Sequence, residues 1–282
     1  MKICIIIPVH NEEVYLPQML DSIVAQTIKP NQVLIVNDNS TDGSQEIIDG
    51  YSSNHSFITS IHNISEDTHI PGAKIINAFY KGFETITEDF DLIGKFDADL
   101  ILPNDYFEKI IALFKEDEKV GIAGGNLYIK ENDTWVFEAI SEKTKVRGPI
   151  KLYRKACFEQ IGGLKKSIGW DTVDGMLAQF HGWIISTDTT AHVKHLKSTG
   201  EKYIKTALFK QGEAFYKMRY SKNLARIAAL KLAIAKNDFS AYFNCMRGFD
   251  NAKKTSLKRI VTKEEGDFIN KTRWQGIKKK IL

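Results

Sequence analysis

Within the first hundred residues, short apolar runs alternate with stretches of helical period, and most of the runs end in polar residues. No other feature restricts the possible folds as tightly. Lys2–Pro8 (KICIIIP) reads as a buried strand, and Tyr15–Gln26 as a helix with Leu16, Met19, Leu20 and Ile23 on one face. Gln32–Asn37 (QVLIVN) reads as a second strand, followed by a helix near Ser44–Ser52. Phe57–His62 is a third strand, Ala73–Thr85 a helix, and Leu92–Phe96 a fourth strand. Such an order builds βαβ units and a mostly parallel sheet buried on both faces. Ligands of these sheets sit at the carboxyl ends of the strands.

Polar clusters fall at those ends. Pro8-Val9-His10-Asn11-Glu12 follows the first strand, Asn37-Asp38-Asn39-Ser40 the second, and Asp97-Ala98-Asp99 the fourth. Three clusters at three strand ends describe one crevice. Asp97 and Asp99 can both reach one hard divalent cation, or one can hold the cation while the other takes a hydroxyl. A carboxylate at the end of a buried strand also needs a partner, since an unpaired buried charge is costly. Asp38 is placed to accept hydrogen bonds from a base or a ribose, while Asp42 suits a helix cap.

No G-x-G-x-x-G follows the first strand, which disfavours dinucleotide redox chemistry, and no P-loop exists. Without a glycine-rich phosphate cradle, a nucleotide diphosphate would need a metal, and Asp97 and Asp99 can supply its ligands. The three cysteines, Cys4, Cys157 and Cys245, match neither a disulfide framework nor a metal spacing.

Beyond Asp105 the pattern is coarser. Asp105–Lys115 reads as a helix, Val120–Tyr128 as a strand and Lys130–Ile150 as loop. Lys155–Ile161 is a short helix closed by Gly162-Gly163, Asp171–His181 another helix, and Trp183–Thr187 a strand. From Glu201 to about Asp250 the period is helical, with Ile227, Leu230 and Ile234 apolar.

IIIPVHNEEVYLPQMLDSIVAQT, VLIVNDNSTDGSQEII and LIGKFDADLILPNDYFEKI, in this order and spacing, resemble the family 2 glycosyltransferases of GT-A fold. The resemblance covers roughly residues 1–200. It implies a Rossmann-like α/β domain, its mostly parallel sheet flanked by helices, with a nucleotide-sugar half near 1–100 and an acceptor half near 101–200. Residues 201–282 would form a helical extension with a basic tail. In the family, the positions matching Pro8, His10, Asn11, Glu12 and Asp38 bind the nucleoside of a nucleotide-diphosphate sugar. Asp99 matches the direct ligand of the divalent metal, Mn²⁺ or Mg²⁺, and Asp97 the residue lying against ribose or sugar. Pro71-Gly72-Ala73-Lys74 matches the stretch whose basic residue, here Lys74, faces the nucleotide. Asn37-Asp38-Asn39 stands where Asp-Asp-Gly is frequent, so Asp38 alone inherits the base-binding carboxylate.

Arg147–Arg154 and Ile161-Gly162-Gly163-Leu164 resemble the acceptor-side segment. Gly169-Trp170-Asp171-Thr172-Val173-Asp174, then Gly182-Trp183, matches the start of the helix bearing the catalytic base. Asp171 takes that position, with Trp170 where Glu is usual; Asp174 is its rival, better suited to a cap or a solvated face. His195 in Ala191-His192-Val193-Lys194-His195 matches a metal-ligand histidine, with His192 the alternative. His10 either touches the nucleotide or hydrogen-bonds its own loop.

The resemblance implies a metal-dependent inverting transfer of sugar, a UDP-sugar first in expectation, to a hydroxyl on a glycan or lipid-linked acceptor. Surface polysaccharide or glycolipid assembly is the setting it implies. A non-catalytic member of the fold is the alternative, and a nucleotidyltransferase would want glycine and arginine in the first loop, which Pro8–Glu12 lacks.

Charge separates possible partners. Lys253–Leu282 holds ten Lys and Arg against three acids, and the rest of the chain is slightly acidic, which argues against a nucleic-acid face. The basic tail suits either solvent or anionic headgroups. Ala207–Tyr220 (ALFKQGEAFYKMRY) suits either core packing or a lipid-facing surface. No run approaches the ~18 apolar residues of a membrane span, and Met1–Pro8 is not a signal peptide, so a cytoplasmic protein, peripheral on the inner membrane face, is expected.

Overall fold

Seven buried residues in a row, Ile3–Val9, form strand β1 in the computed structural model, which describes residues 1–64, 73–140, 142–197 and 205–281. Then come α1 (Leu16–Val24), β2 (Gln32–Asp38), α2 (Ser44–Asn54), β3 (Ile58–Asn63), α3 (Ala73–Phe83) and β4 (Leu92–Phe96). The second half holds β5 (Leu100–Ile101), α4 (Tyr106–Glu116), β6 (Val120–Glu131), β7 (Thr134–Phe137), β8 (Ile150–Arg154) and α5 (Lys155–Gln160). Helix α6 (Trp170–Phe180) precedes β9 (Ile184–His195). Helices α7 (Lys205–Lys217), α8 (Lys222–Ala235), α9 (Ser240–Lys254) and α10 (Lys263–Ile281) complete the chain. The described residues gather into two compact units: the strands with α1 to α5, and α6 with α7 to α10.

In the first unit the strand order is β3-β2-β1-β4-β8-β6-β9-β5, with β7 paired to β6. β1 runs parallel to β2 and β4, and β2 parallel to β3. β8 enters antiparallel between β4 and β6, and β6 runs parallel to β9. Two reversals restore the direction, so β9 ends at the same edge as β1, β2 and β4. On one face Ile3, Ile5, Ile7, Val33 and Ile35 pack with Leu16, Met19, Leu20 and Ile23 of α1 and with Phe107, Ile110 and Phe114 of α4. Each such side chain contributes roughly 1.5–3 kcal/mol by leaving water. α3 lies on the other face, where Gly82 touches Ile6, Leu34 and Val36.

Three segments differ from expectation. The loop assigned to Lys130–Ile150 contains a hairpin: β6 runs on to Glu131, turns at Asn132 and Asp133 with φ of 45° and 64°, and returns as β7. Asn and Asp tolerate the left-handed conformation that such a tight turn needs. β8 is a strand too short to show a period of its own. β9 extends eight residues past Thr187, its outer part alternating exposed and buried positions.

In the second unit α7 and α9 meet backbone to backbone. A Cβ on Gly212 would lie 1.8 Å from the Cys245 carbonyl oxygen, and one on Gly248 1.9 Å from that of Phe209. Phe215, Tyr216, Met218 and Tyr220 are buried, which rules out a lipid-facing role for these side chains. α8 buries Leu224, Ala225, Ala229 and Ala233, whereas Ile227, Leu230 and Ile234 are 38%, 42% and 66% exposed. Among the described residues, no helix is long and apolar enough to cross a membrane.

Candidate functional site

At the carboxyl edge of the sheet, β1 gives way to a loop that is stitched to the loop after β2. Asn11, held at φ 56°, accepts the Thr41 N–H on its Oδ1 at 2.8 Å, while its own N–H donates to Ser40 Oγ at 3.0 Å. The Glu12 N–H donates to Ser44 Oγ at 2.9 Å, and the Glu13 N–H to Asp42 Oδ2 at 3.1 Å. Asp42 also accepts the Ser44 N–H at 3.0 Å, which serves the first turn of α2 from one residue ahead of the cap position at Gly43. The His10 ring donates from Nδ1 to the Asp38 carbonyl at 2.7 Å, which ties the loop after β1 to the end of β2. Pro8 is buried at the end of β1, opposite Val36.

Asp38 is 3% exposed and accepts the Asn63 amide at 2.6 Å, with Lys74 Nζ 3.9 Å from its other oxygen. Asn37 is fully buried, tied to Gln45 at 2.6 Å and to the Ser40 N–H at 3.0 Å, a structural duty for the residue beside Asp38. Glu12 pairs with Lys197 at 2.5 Å, and that ammonium also lies 4.8 Å over the Tyr15 ring. Pro71, Gly72, Ser198, Thr199 and Gly200 lie outside the described residues.

After β4 the chain turns through Asp97, Ala98 and Asp99 and continues as β5. Leu100 of β5 pairs with His195 of β9, and the Leu196 N–H donates to the Asp99 carbonyl at 2.9 Å. This register brings a histidine from the far end of the sheet against the two aspartates. Asp97, Asp99 and His195 each offer one ligand atom, all within 4.8 Å of one another. His195 Nε2 lies 3.6 Å from Asp99 Oδ2, and His192 instead contacts Tyr128. Two carboxylate oxygens and one imidazole nitrogen suit a hard to borderline divalent cation such as Mn²⁺ or Mg²⁺.

Electrostatics agree with that use. Burial, and then the charge of Asp97, push the Asp99 carboxyl up to about 6, against the counteracting pull of His195. Such a carboxylate gains by meeting a cation. Burial acts to lower the His195 imidazole, yet the hydrogen bond with Glu138 and the charges of Asp99, Glu138 and Asp97 outweigh it and raise the pKa.

Four participants were not singled out from the sequence. Lys95, 1% exposed, forms an ion pair with Asp97 two residues on. Lys151, 2% exposed, stands opposite Lys95 across β4 and β8. Glu138, 2% exposed, accepts from His195 Nδ1 at 3.1 Å and pairs with Arg147. A lysine inside a buried run (LIGKF) is a legible signal, because its charge demands a carboxylate. A lone Glu at the end of a hairpin carries none.

In the second unit, Asp171 lies in the first turn of α6 and Trp170 is buried. Asp174 is 0% exposed and accepts the Gly175 N–H at 2.5 Å. The solvated-face and capping readings of Asp174 are therefore corrected: α6 turns it inward one helical turn after Asp171.

Comparison with known proteins bears on family and fold. The glycosyl transferase family 2 profile matches residues 4–165. Glycosyltransferase GlyA of Streptococcus pneumoniae is 30% identical over 200 residues, covering 63% of this chain and 27% of that one. Glycosyltransferase MG025 of Mycoplasma genitalium is 29% identical over 178 residues, covering 58% of this chain and 57% of its own. The chain thus spans less than two thirds of these relatives. Residues 1–349 of Staphylococcus aureus TarS, solved with UDP-GlcNAc, superpose with a TM-score of 0.58 at 18% identity, over 95% of this chain and 78% of that one. The mannosyltransferase PcManGT of Pyrobaculum calidifontis, solved with GDP-Man and Mn²⁺, gives 0.57 at 13% identity, over 98% and 80%. A profile that spans more than half of the sequence, on a sheet of GT-A architecture, makes this chain a member of glycosyl transferase family 2.

Proposed function

We propose that this glycosyltransferase is metal-dependent and inverting, and moves a sugar from a nucleotide-diphosphate donor, a UDP-sugar first among the candidates, to a hydroxyl of a glycan or lipid-linked acceptor. Surface polysaccharide or glycolipid assembly is its proposed setting. The observation that carries the reading is the meeting of Asp97, Asp99 and His195 within 4.8 Å at the crevice edge. Asp99 and His195 would hold the cation, and Asp97, already paired with Lys95, would lie against the ribose or the donor sugar. A bound Mn²⁺ or Mg²⁺ supplies charge neutralisation of the departing diphosphate. Pro8, His10, Asn11, Glu12 and Asp38 would form the nucleoside wall, with Lys74 adding positive charge beside Asp38. Asp171 would take the proton of the acceptor hydroxyl, the direct role of a general base. Residues 1–200 would work as the catalytic domain and 201–282 as its helical extension.

The test is a panel of UDP- and GDP-sugars incubated with the protein and Mn²⁺. Nucleotide release that needs metal and is abolished in Asp171→Asn supports the reading. A panel in which no nucleotide-sugar stabilises the protein or turns over, with metal present, overturns the donor assignment. Loss of turnover in Asp174→Asn but not in Asp171→Asn moves the base to Asp174.

Contact with an anionic membrane face is also proposed for the second unit, and α8 supports it. Between Lys222 and Ala235 it carries no acid. Its exposed Ile227, Leu230 and Ile234 form one stripe, flanked by Arg226 and Lys231 at 100° per residue. The basic α10 would add to the same attraction.

A further inference from the structure

We propose that Glu138 is a positioning residue for the metal edge, holding His195 as the Nδ1–H tautomer with Nε2 turned towards Asp99, while Arg147 pins Glu138 in place. The inference rests on the reading of Asp97, Asp99 and His195 as a divalent cation site. Each step follows from contacts within the first unit. Glu138 Oε2 lies 3.1 Å from His195 Nδ1, and the same oxygen is the one that Arg147 reaches. A carboxylate paired with a guanidinium only accepts hydrogen bonds, so the proton between Glu138 and His195 belongs to Nδ1. The neutral imidazole then keeps a lone pair on Nε2. Nε2 and Asp99 Oδ2 stand 3.6 Å apart, beyond hydrogen-bond range, so no proton is shared on that side.

The opposite tautomer would place a hydrogen on Nε2, aimed at the Asp99 carboxylate, and block the lone pair that a cation needs. Glu138 excludes that state. It is itself held in place: its side chain is 3% exposed, its N–H donates to the Leu127 carbonyl at 2.9 Å, and it directly follows β7 of the β6–β7 hairpin. A carboxylate behind a metal-binding histidine typically changes affinity by ~10–100-fold when removed.

The experiment uses the whole chain, labelled with ¹⁵N-histidine, and reads the tautomer of His195 by long-range ¹H–¹⁵N correlation without metal, the His195→Gln variant assigning its signals. At pH 8 wild type should show Nδ1–H and a bare Nε2. In Glu138→Ala the signals should move towards the Nε2–H form or a mixture, and Mn²⁺ affinity, read by electron paramagnetic resonance, should fall by ~10–100-fold. Glu138→Gln, which keeps shape and an acceptor oxygen, should retain most of the Nδ1–H population and lose less affinity. If Glu138→Ala does not fold, wild type and Glu138→Gln still decide. A wild-type His195 in the Nε2–H form, or a folded Glu138→Ala with unchanged tautomer, overturns the proposal. Failure of wild type to bind Mn²⁺ overturns the metal reading instead, whatever the tautomer shows.

Discussion

Leu100 and His195 are paired across β5 and β9, and through this single register Asp99 meets a histidine ninety-six residues away in the chain. β9 delivers it because two reversals in the sheet return that strand to the carboxyl edge of β1, β2 and β4. The candidate metal site is thus a product of strand direction as much as of side-chain chemistry.

The raised pKa of Asp99 sets one expectation. Ionised Asp99 is unfavourable in the metal-free protein, so Asp99→Asn should melt several degrees higher than wild type at pH 8 without metal. With Mn²⁺ the order should reverse, since the variant loses the ligand-linked stabilisation. Thermal shift measured with EDTA and with Mn²⁺ checks both arms; equal melting in EDTA would remove the electrostatic account.

A pH series tests the same group differently. The folded carboxyl holds its proton up to about 6, whereas the unfolded chain releases it near the ordinary value of roughly 4. The native state therefore binds the extra proton, and metal-free stability should decline as pH rises from 4 to 6. His195, also raised, acts in the same direction at higher pH. Mn²⁺ competes with both protons, so its affinity should level off only at high pH, fall as His195 gains its proton, and fall more steeply, by up to roughly a hundredfold per unit, once Asp99 is protonated as well. Calorimetric titration at pH 5, 6, 7 and 8 reads the slope.

Lys95 is almost wholly buried beside Asp97. Lys95→Met leaves an acidic pair without its nearest cation and should cost roughly 2–4 kcal/mol in urea unfolding, less than a fully enclosed pair because Asp97 retains 24% exposure. A change within 0.5 kcal/mol would mean that solvent already screens the pair.

Gly248→Ala pushes a methyl into the Phe209 carbonyl, which has no room to yield. The expected loss is at least about 3 kcal/mol, carried by the helical unit. Hydrogen exchange should show α7 and α9 losing protection while β1 and β2 keep theirs; loss spread evenly over both units would contradict a local defect.

The exposed stripe of α8 predicts flotation with vesicles containing phosphatidylglycerol and not with phosphatidylcholine alone. Leu230→Ser with Ile234→Ser should reduce the bound fraction by at least fivefold. Binding that persists unchanged would place the contact elsewhere or remove it.

Apolar period and turn chemistry are written locally, which is why β1, β2, β3 and β4 and the polar clusters that follow three of them were legible residue by residue. The aspartate pair, Asp38 and the helix bearing Asp171 could be located from the same local pattern. Asp174 was misread because a carboxylate on a helix is ordinarily solvated, and only packing turns it inward. Ile227, Leu230 and Ile234 carry the period of a buried face, yet α8 buries its alanines, which allow closer approach. By itself, then, the sequence determined the first four strands, the polar clusters at their carboxyl ends and the acidic pair that follows β4. The resemblance could name His195, but only the tertiary structure decided how that edge is completed: His195 set beside Asp99, Glu138 behind His195, Arg147 on Glu138. Strand register sets these pairs over separations as long as ninety-six residues, and no local pattern in the chain encodes a register.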